Sequence, residues 1–174
     1  MNHSDHVWLL RRGVPVGGGV WADLGAGNGA FTLALAELLG DGGTIYAVDR
    51  ERGALTALAR SLRDRYPAVD LHLLAGDFTQ PLALPPLDGI VMANSLHFVE
   101  AKAPVLALLR GYLQPGGRFI VVEYNTDRGN RWVPHPFSFA SWQRLAREAG
   151  FAHTELLATR PSSFLGEFYA AASW

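Results

Sequence analysis

The stretch VWADLGAGNGAF, Val20 to Phe31, sets glycine at 25, 27 and 29 between an apolar run and a run of helix formers. A strand, a glycine-rich turn and a helix in immediate succession bring backbone amides to the carboxyl edge of a sheet, where open α/β folds take their ligands. The glycines remove side chains, so a ligand can touch the main chain. On that description alone a dinucleotide fits as well as any other ligand. The spacing, however, is GxGxG, where the dinucleotide fingerprint is GxGxxG. Asp23 stands two places before the first glycine, where a carboxylate meets an ammonium group comfortably and a pyrophosphate badly. The turn therefore points to a ligand carrying a cationic amino group.

The rest of the chain repeats the alternation. Val20–Leu24, Thr44–Val48, Val69–Ala75, Leu87–Ala93 and Arg118–Glu123 read as strands, several apolar on consecutive residues as strands buried on both faces are. Ala30–Leu39 is apolar nearly all round, which predicts a deeply packed helix, whereas Glu51–Arg65 carries Leu55, Leu58 and Leu62 on one face. Pro104 suits the first turn of a helix running to Leu113 that QPGG ends. Ser138 reads as the N-cap of a last helix burying Phe139, Trp142, Leu145 and Ala149 and stopping at Gly150. Phe151–Thr159 and Phe164–Ser173, joined by the turn-like RPSS, form a terminal pair of strands. Right-handed crossovers then give a doubly wound, Rossmann-like α/β sheet, mostly parallel, with helices on both faces and an antiparallel strand added at the edge. At 174 residues the expectation is one domain over 1–174, with a short N-terminal helical segment in 1–18, around Ser4–Arg12.

A formal net charge of −1 supplies no basic field for phosphate backbones or anionic lipid, so neither nucleic acid nor membrane is the expected partner. No apolar run approaches a membrane span or a signal peptide, and the expected location is cytoplasmic. Without cysteine there are no disulfides, thiolate metal sites or cysteine nucleophiles.

Two further acids stand at strand ends. Asp49 closes the second strand about twenty residues after the turn, the position from which a carboxylate accepts both hydroxyls of a ribose. Asp77, in LAGDFTQP after the third strand, lies where an adenine falls if the ribose is at Asp49; its carboxylate and the Phe78 amide are candidates for the exocyclic amine and a ring nitrogen.

With VWADLGAGNGAFT, IYAVDRE, LLAGDFTQP, LDGIVMANSLHFV and LQPGGRFIVVEY in that order, the sequence resembles the class I S-adenosylmethionine-dependent methyltransferases, in particular the small-molecule group with a ubiquinone/menaquinone-biosynthesis type core. The resemblance runs from Gly19 to Trp174. It implies a seven-stranded sheet with an antiparallel last strand, and S-adenosylmethionine as cofactor. Gly25, Ala26, Gly27 and Asn28 would line the methionine part, with Asp23 near its amino group. Asp49, with Arg50 beside it, would hold the ribose, Asp77 and Phe78 the adenine, and Asn94 and Ser95 the floor beside the sulfonium. The implied activity is in-line transfer of methyl to a small-molecule acceptor. A nicotinamide-dependent oxidoreductase and a non-catalytic S-adenosylmethionine-binding protein are the alternatives.

Such a transfer needs alignment more than acid–base chemistry. If a general base serves, His97, in NSLHF after the fourth strand, is the first candidate, ahead of Glu123, Tyr124 and His135. The exit ANSL lacks the Asp/Asn-Pro-Pro-aromatic signature of many enzymes that methylate a flipped base. No metal site is expected, and HSDH, with His3 and His6, reads as a frayed N-terminus. The brevity of the N-terminal segment implies a substrate side that is either more open, or closed by the loop Asn125–Pro136 or by a second copy in a homodimer. Trp8, Trp132, Pro134 and Phe137 are candidates for an apolar lid.

Overall fold

The computed structural model describes all 174 residues. Seven strands form one sheet in the order β3-β2-β1-β4-β5-β7-β6: β1 Gly19–Leu24, β2 Gly43–Asp49, β3 Asp70–Ala75, β4 Leu87–Ala93, β5 Leu113–Tyr124, β6 Thr154–Ser162 and β7 Gly166–Ser173. β1 to β5 pair in parallel, and β7 runs antiparallel to both β5 and β6. The antiparallel strand is thus interior, and the edge is β6, a correction to the expected antiparallel edge.

Five α-helices cover the sheet: α1 His3–Leu10, α2 Ala30–Leu39, α3 Arg52–Arg65, α4 Lys102–Arg110 and α5 Phe139–Glu148. Alternate β5 residues divide between two cores. Ile120 and Val122 join the side chains of α1, α2 and α3, while Phe119 and Val121 join those of α4 and α5. Helices therefore lie on both faces, and the central strands are apolar on consecutive residues for that reason. Each large side chain so buried contributes about 1.5–3 kcal/mol. Trp21 finds room only because Gly89 has no side chain; a Cβ there would lie 2.2 Å from its ring.

Several boundaries shift where long-range contacts act. α4 stops at Arg110, not Leu113, because Tyr112 already gives its carbonyl to the Leu87 amide (2.8 Å) and its hydroxyl to the Leu82 amide (2.8 Å). QPGG is a bulge in β5: Leu87 pairs with Leu113 and Gly89 with Arg118, so Gln114–Gly117 loop out between them. RPSS is not a turn. β6 runs through Pro161, tolerated on an edge strand, and the chain reverses at Ser163–Leu165 before Gly166 at φ +84°. On α5 the fully buried residues are Trp142 and Ala146; Phe139, Leu145 and Ala149 are half-buried. The Ser138 hydroxyl accepts from the Ser141 amide, as an N-cap does. No helix is long and apolar enough to cross a membrane.

The N-terminus is not frayed. Asn2 and Asp5 form a reciprocal capping box on α1. His3 Nε2 lies 2.7 Å from Glu37 and 3.1 Å from the Tyr66 hydroxyl, Asp5 meets Arg160 at 2.7 Å, and Leu9 and Leu10 are buried.

Candidate active site

The glycine turn is tied to the end of β2. The amides of Gly25 and Ala26 both donate to the Val48 carbonyl (2.9 and 3.0 Å), and the Gly27 amide donates to Asp49 Oδ2 at 2.7 Å. The three glycines adopt φ of +81°, +53° and +87°, the left-handed region that excludes most side chains. Gly25 has a second constraint: a Cβ there would fall 2.4 Å from Cβ of Ser95, so the β1 and β4 exits touch only through glycine. Nothing stands near Gly27, whose missing side chain leaves open space above the main chain.

Two chambers meet at this turn. One of about 370 Å³ lies over the ends of β2, β3 and β4, against Asp49, Arg50, Gly76, Phe78, Ser95 and Phe98. The other, about 280 Å³, lies over the turn and α2, against His6, Asp23, Ala26, Gly27, Asn28 and Phe31. Gly25 and Asn94 line both, making one groove across the carboxyl rim of the sheet. Its combined size is that of a cofactor site.

The polar groups along the groove are unevenly satisfied. Asp23 is 1% exposed and accepts only the Thr32 hydroxyl, at 2.6 Å. Burial, reinforced by the nearby Asp49 charge and opposed by the Thr32 bond, pushes its carboxyl up to about 7. Asn94 has a positive φ of 53°, the only non-glycine residue that does, and its buried Oδ1 has no partner. Backbone strain and an orphaned acceptor in one residue mark a ligand site. Asp49, which lines the groove, bonds the Gly27 amide with Oδ2 and the Glu51 amide (2.9 Å) with Oδ1, which fixes the carboxylate and leaves each oxygen a lone pair.

Ten of the twelve residues singled out from the sequence line the groove: Asp23, Gly25, Ala26, Gly27, Asn28, Asp49, Arg50, Phe78, Asn94 and Ser95. Asp77 does not. Its Oδ2 receives Arg50 at 2.5 Å and its Oδ1 receives the amide and hydroxyl of Thr79 (2.9 and 2.7 Å), which hold the carboxyl down at about 2, Arg50 contributing most. It fixes the loop that presents Gly76, Phe78 and Thr79.

His97 does not line the groove either, and the placement expected of a general base over the methyl is corrected. The side chain is buried, with Nδ1 2.7 Å from Oε2 of a fully buried Glu123. Glu123 Oε1 also accepts the amides of Leu96 and His97 (3.1 and 3.2 Å), closing the helical turn Leu96–Phe98 that follows β4. Lys102 continues the ties, donating at 2.8 Å to the carbonyls of Val99 and His135. These residues fix the segment that carries Asn94, Ser95 and Phe98.

The loop Asn125–Pro136 is ordered by its own Asx bonds: Asn130 Oδ1 accepts the amides of Trp132 and Val133 at 2.9 Å, and Asp127 accepts the amide and hydroxyl of Ser138 at 2.9 Å. Of the four lid candidates, Phe137 is core, while Trp8, Trp132 and Pro134 are exposed and line neither chamber. Sequence reasoning missed Phe98 and His6. Phe98 follows the ANSLH exit directly, which is a usable signal; His6 was hidden by the expectation of fraying.

Comparison with known proteins identifies the family. The family described as "Methyltransferase domain" matches residues 22–119. The chain is 30% identical over 123 residues to the ubiquinone/menaquinone biosynthesis C-methyltransferase UbiE of Azotobacter vinelandii, covering 67% of this chain and 48% of that one. It is 35% identical over 84 residues to the release factor glutamine methyltransferase of Gloeobacter violaceus, covering 48% and 29%. The chain thus spans about half the length of these curated relatives, or less. Among solved structures, magnesium protoporphyrin IX methyltransferase ChlM of Synechocystis with bound SAM superimposes with a TM-score of 0.70 at 16% identity, over 98% of this chain and 76% of that one. The family match over more than half its length establishes that this chain belongs to the methyltransferase domain family.

Proposed function

We propose that the groove binds S-adenosylmethionine and that the chain transfers its methyl group to a small-molecule acceptor. The observation that carries the cofactor placement is the pairing, in the two adjoining chambers of one groove, of Asp49 with free acceptor capacity and Asp23 with a buried carboxyl. Asp49 accepts the ribose hydroxyls, with Arg50 beside it. The amide of Phe78 and the backbone of Gly76 face the adenine; Asp77 acts on them through Arg50 and Thr79. Asp23 takes the α-ammonium, and the backbone of Gly25 to Asn28 lies along the methionine chain. Asn94 Oδ1 finds its missing partner in the ligand, with Ser95 beside it. Bound there, the cofactor supplies a methyl already activated on a sulfonium.

The protein's own part is alignment and exclusion of water. Near Asn94 and Ser95 the first chamber is walled by Phe98 and Val99, and its ionisable side chains, Asp49, Arg50 and Glu51, come from the end of β2 and the residues that follow it. With His97 buried against Glu123, positioning carries the rate, an effect worth about 7–11 kcal/mol where the geometry is tight. The apolar wall favours an acceptor with an apolar face. A small acceptor is favoured over a macromolecular one by the near-zero net charge and by the groove's dimensions; the relatives named above span both kinds.

Calorimetry with S-adenosylhomocysteine tests the cofactor, with one site per chain expected; no heat at millimolar ligand refutes it. Incubation of a cell extract with methyl-labelled S-adenosylmethionine tests the acceptor. Label in the low-molecular-weight organic fraction is expected, and label confined to protein or RNA overturns the small-molecule assignment.

A further inference from the structure

His6 has no role in the site as described, yet it projects from α1 into the same chamber as Asp23 and the glycine turn. Its ring packs on Phe31, with centroids 4.6 Å apart, and its Nδ1 is buried without a hydrogen-bond partner. An orphaned ring nitrogen is unusual in a folded chain and is satisfied readily by a ligand. Nor is it there through looseness of the helix: before His6, α1 is pinned by the capping box, by His3 on Glu37 and by Asp5 on Arg160, and after it Leu9 and Leu10 are buried in the core.

The chamber is also divided by charge. Asp23 supplies a carboxyl group near the end of β1, the one a bound ammonium would hold ionised. Opposite in character is the start of α2, which has Gly29 as N-cap and no side-chain capping bond, so its first amides are free to favour negative charge. His6 sits at that positive side, on the second residue of α2.

Building on the S-adenosylmethionine reading, we propose that His6 is a binding residue for the amino-acid end of the cofactor, its Nδ1–H donating to the α-carboxylate while Asp23 receives the α-ammonium. A zwitterion needs a donor and an acceptor set apart, and this pair supplies them from two successive elements, α1 and β1. Burial holds the His6 imidazole below its ordinary value, so near neutral pH it is uncharged and offers one N–H. The helix α1 thereby serves as a clamp on the cofactor's tail, not as a roof over the acceptor.

Titration calorimetry with three ligands tests this: S-adenosylhomocysteine, its decarboxylated analogue, and methylthioadenosine, which keeps the nucleoside and sulfur but has no amino acid. His6→Phe keeps a ring on Phe31 and removes the donor. It is expected to weaken S-adenosylhomocysteine about tenfold to a hundredfold, the worth of one hydrogen bond to a charged group, and to leave the other two ligands within about twofold. His6→Gln, which restores a donor, recovers much of the loss. Unchanged S-adenosylhomocysteine affinity in His6→Phe overturns the proposal, as does equal weakening of all three ligands, which would mark a packing role. Should His6→Phe not fold, the wild-type protein still decides: the decarboxylated analogue must bind at least about tenfold more weakly than S-adenosylhomocysteine. If the wild-type protein binds neither S-adenosylhomocysteine nor methylthioadenosine, the cofactor reading itself fails, a result distinct from loss of the His6 contact.

Discussion

Asp23 makes the free protein less stable as pH rises. In the unfolded chain its carboxyl titrates near 3.8; folded, burial raises it to about 7. Between those values the native state binds the extra proton, so its stability falls with increasing pH by about 1.4 kcal/mol per pH unit. The contribution of the neutral acid is complete below about 3.8 and is lost above about 7, a difference of roughly 4 kcal/mol. Asp23→Asn keeps an oxygen to accept the Thr32 hydroxyl but cannot ionise, so comparison with it isolates this one group. Urea unfolding of both proteins at pH 5, 6, 7 and 8 is expected to show wild-type stability declining relative to the variant by about 1.4 kcal/mol per unit up to pH 7, then levelling. The ammonium of a bound ligand requires the ionised carboxylate, so S-adenosylhomocysteine affinity should weaken about tenfold per pH unit below 7, with a proton released on binding. A stability difference constant from pH 5 to 8 would refute the raised Asp23 carboxyl and, with it, the predicted pH dependence of ligand affinity.

Other perturbations probe separate parts of the groove. Asp49→Ala removes the ribose acceptor and the partner of the Gly27 amide, and S-adenosylhomocysteine affinity measured by calorimetry should fall at least about tenfold; equal affinity refutes the ribose placement. Gly25→Ala puts a methyl 2.4 Å from Cβ of Ser95 at φ +81°, and thermal unfolding should show a loss of about 2 kcal/mol or more together with weakened cofactor binding. Glu123→Ala leaves His97 and two buried amides unpartnered, with an expected destabilisation of about 3–5 kcal/mol in denaturant titration; a loss below 1 kcal/mol would mean the carboxylate does not hold the segment after β4.

What could be read from the sequence was what local chemistry decides. The GxGxG turn, the all-round apolar α2 and the strands β1 to β4 follow from glycine's dihedral freedom and from burial on both faces, and their limits fell within a residue or so of the structure. What escaped was set by partners distant in sequence. Nothing near Asp77 says that Arg50, 27 residues earlier, will claim its carboxylate. Nothing in NSLHF says that Glu123 will draw His97 inward. The end of α4 is decided by Leu87 and Leu82 through Tyr112, and the ordering of HSDH by Glu37, Tyr66 and Arg160. At the carboxyl rim, the acids at the ends of β1 and β2 were legible because a strand end fixes where its side chain goes; the acid in the loop after β3 was not.

The place of β7 bears on how the molecule is made. Because the last strand inserts between β5 and β6, a ribosome that has delivered everything up to Ser162 has produced two open strand borders and no sheet joining them. Ala170, Ala171 and Ala172, all fully buried, arrive among the last parts of both cores. During translation the nascent chain therefore holds a half-built sheet with exposed borders, the interval in which a chaperone has most to shield.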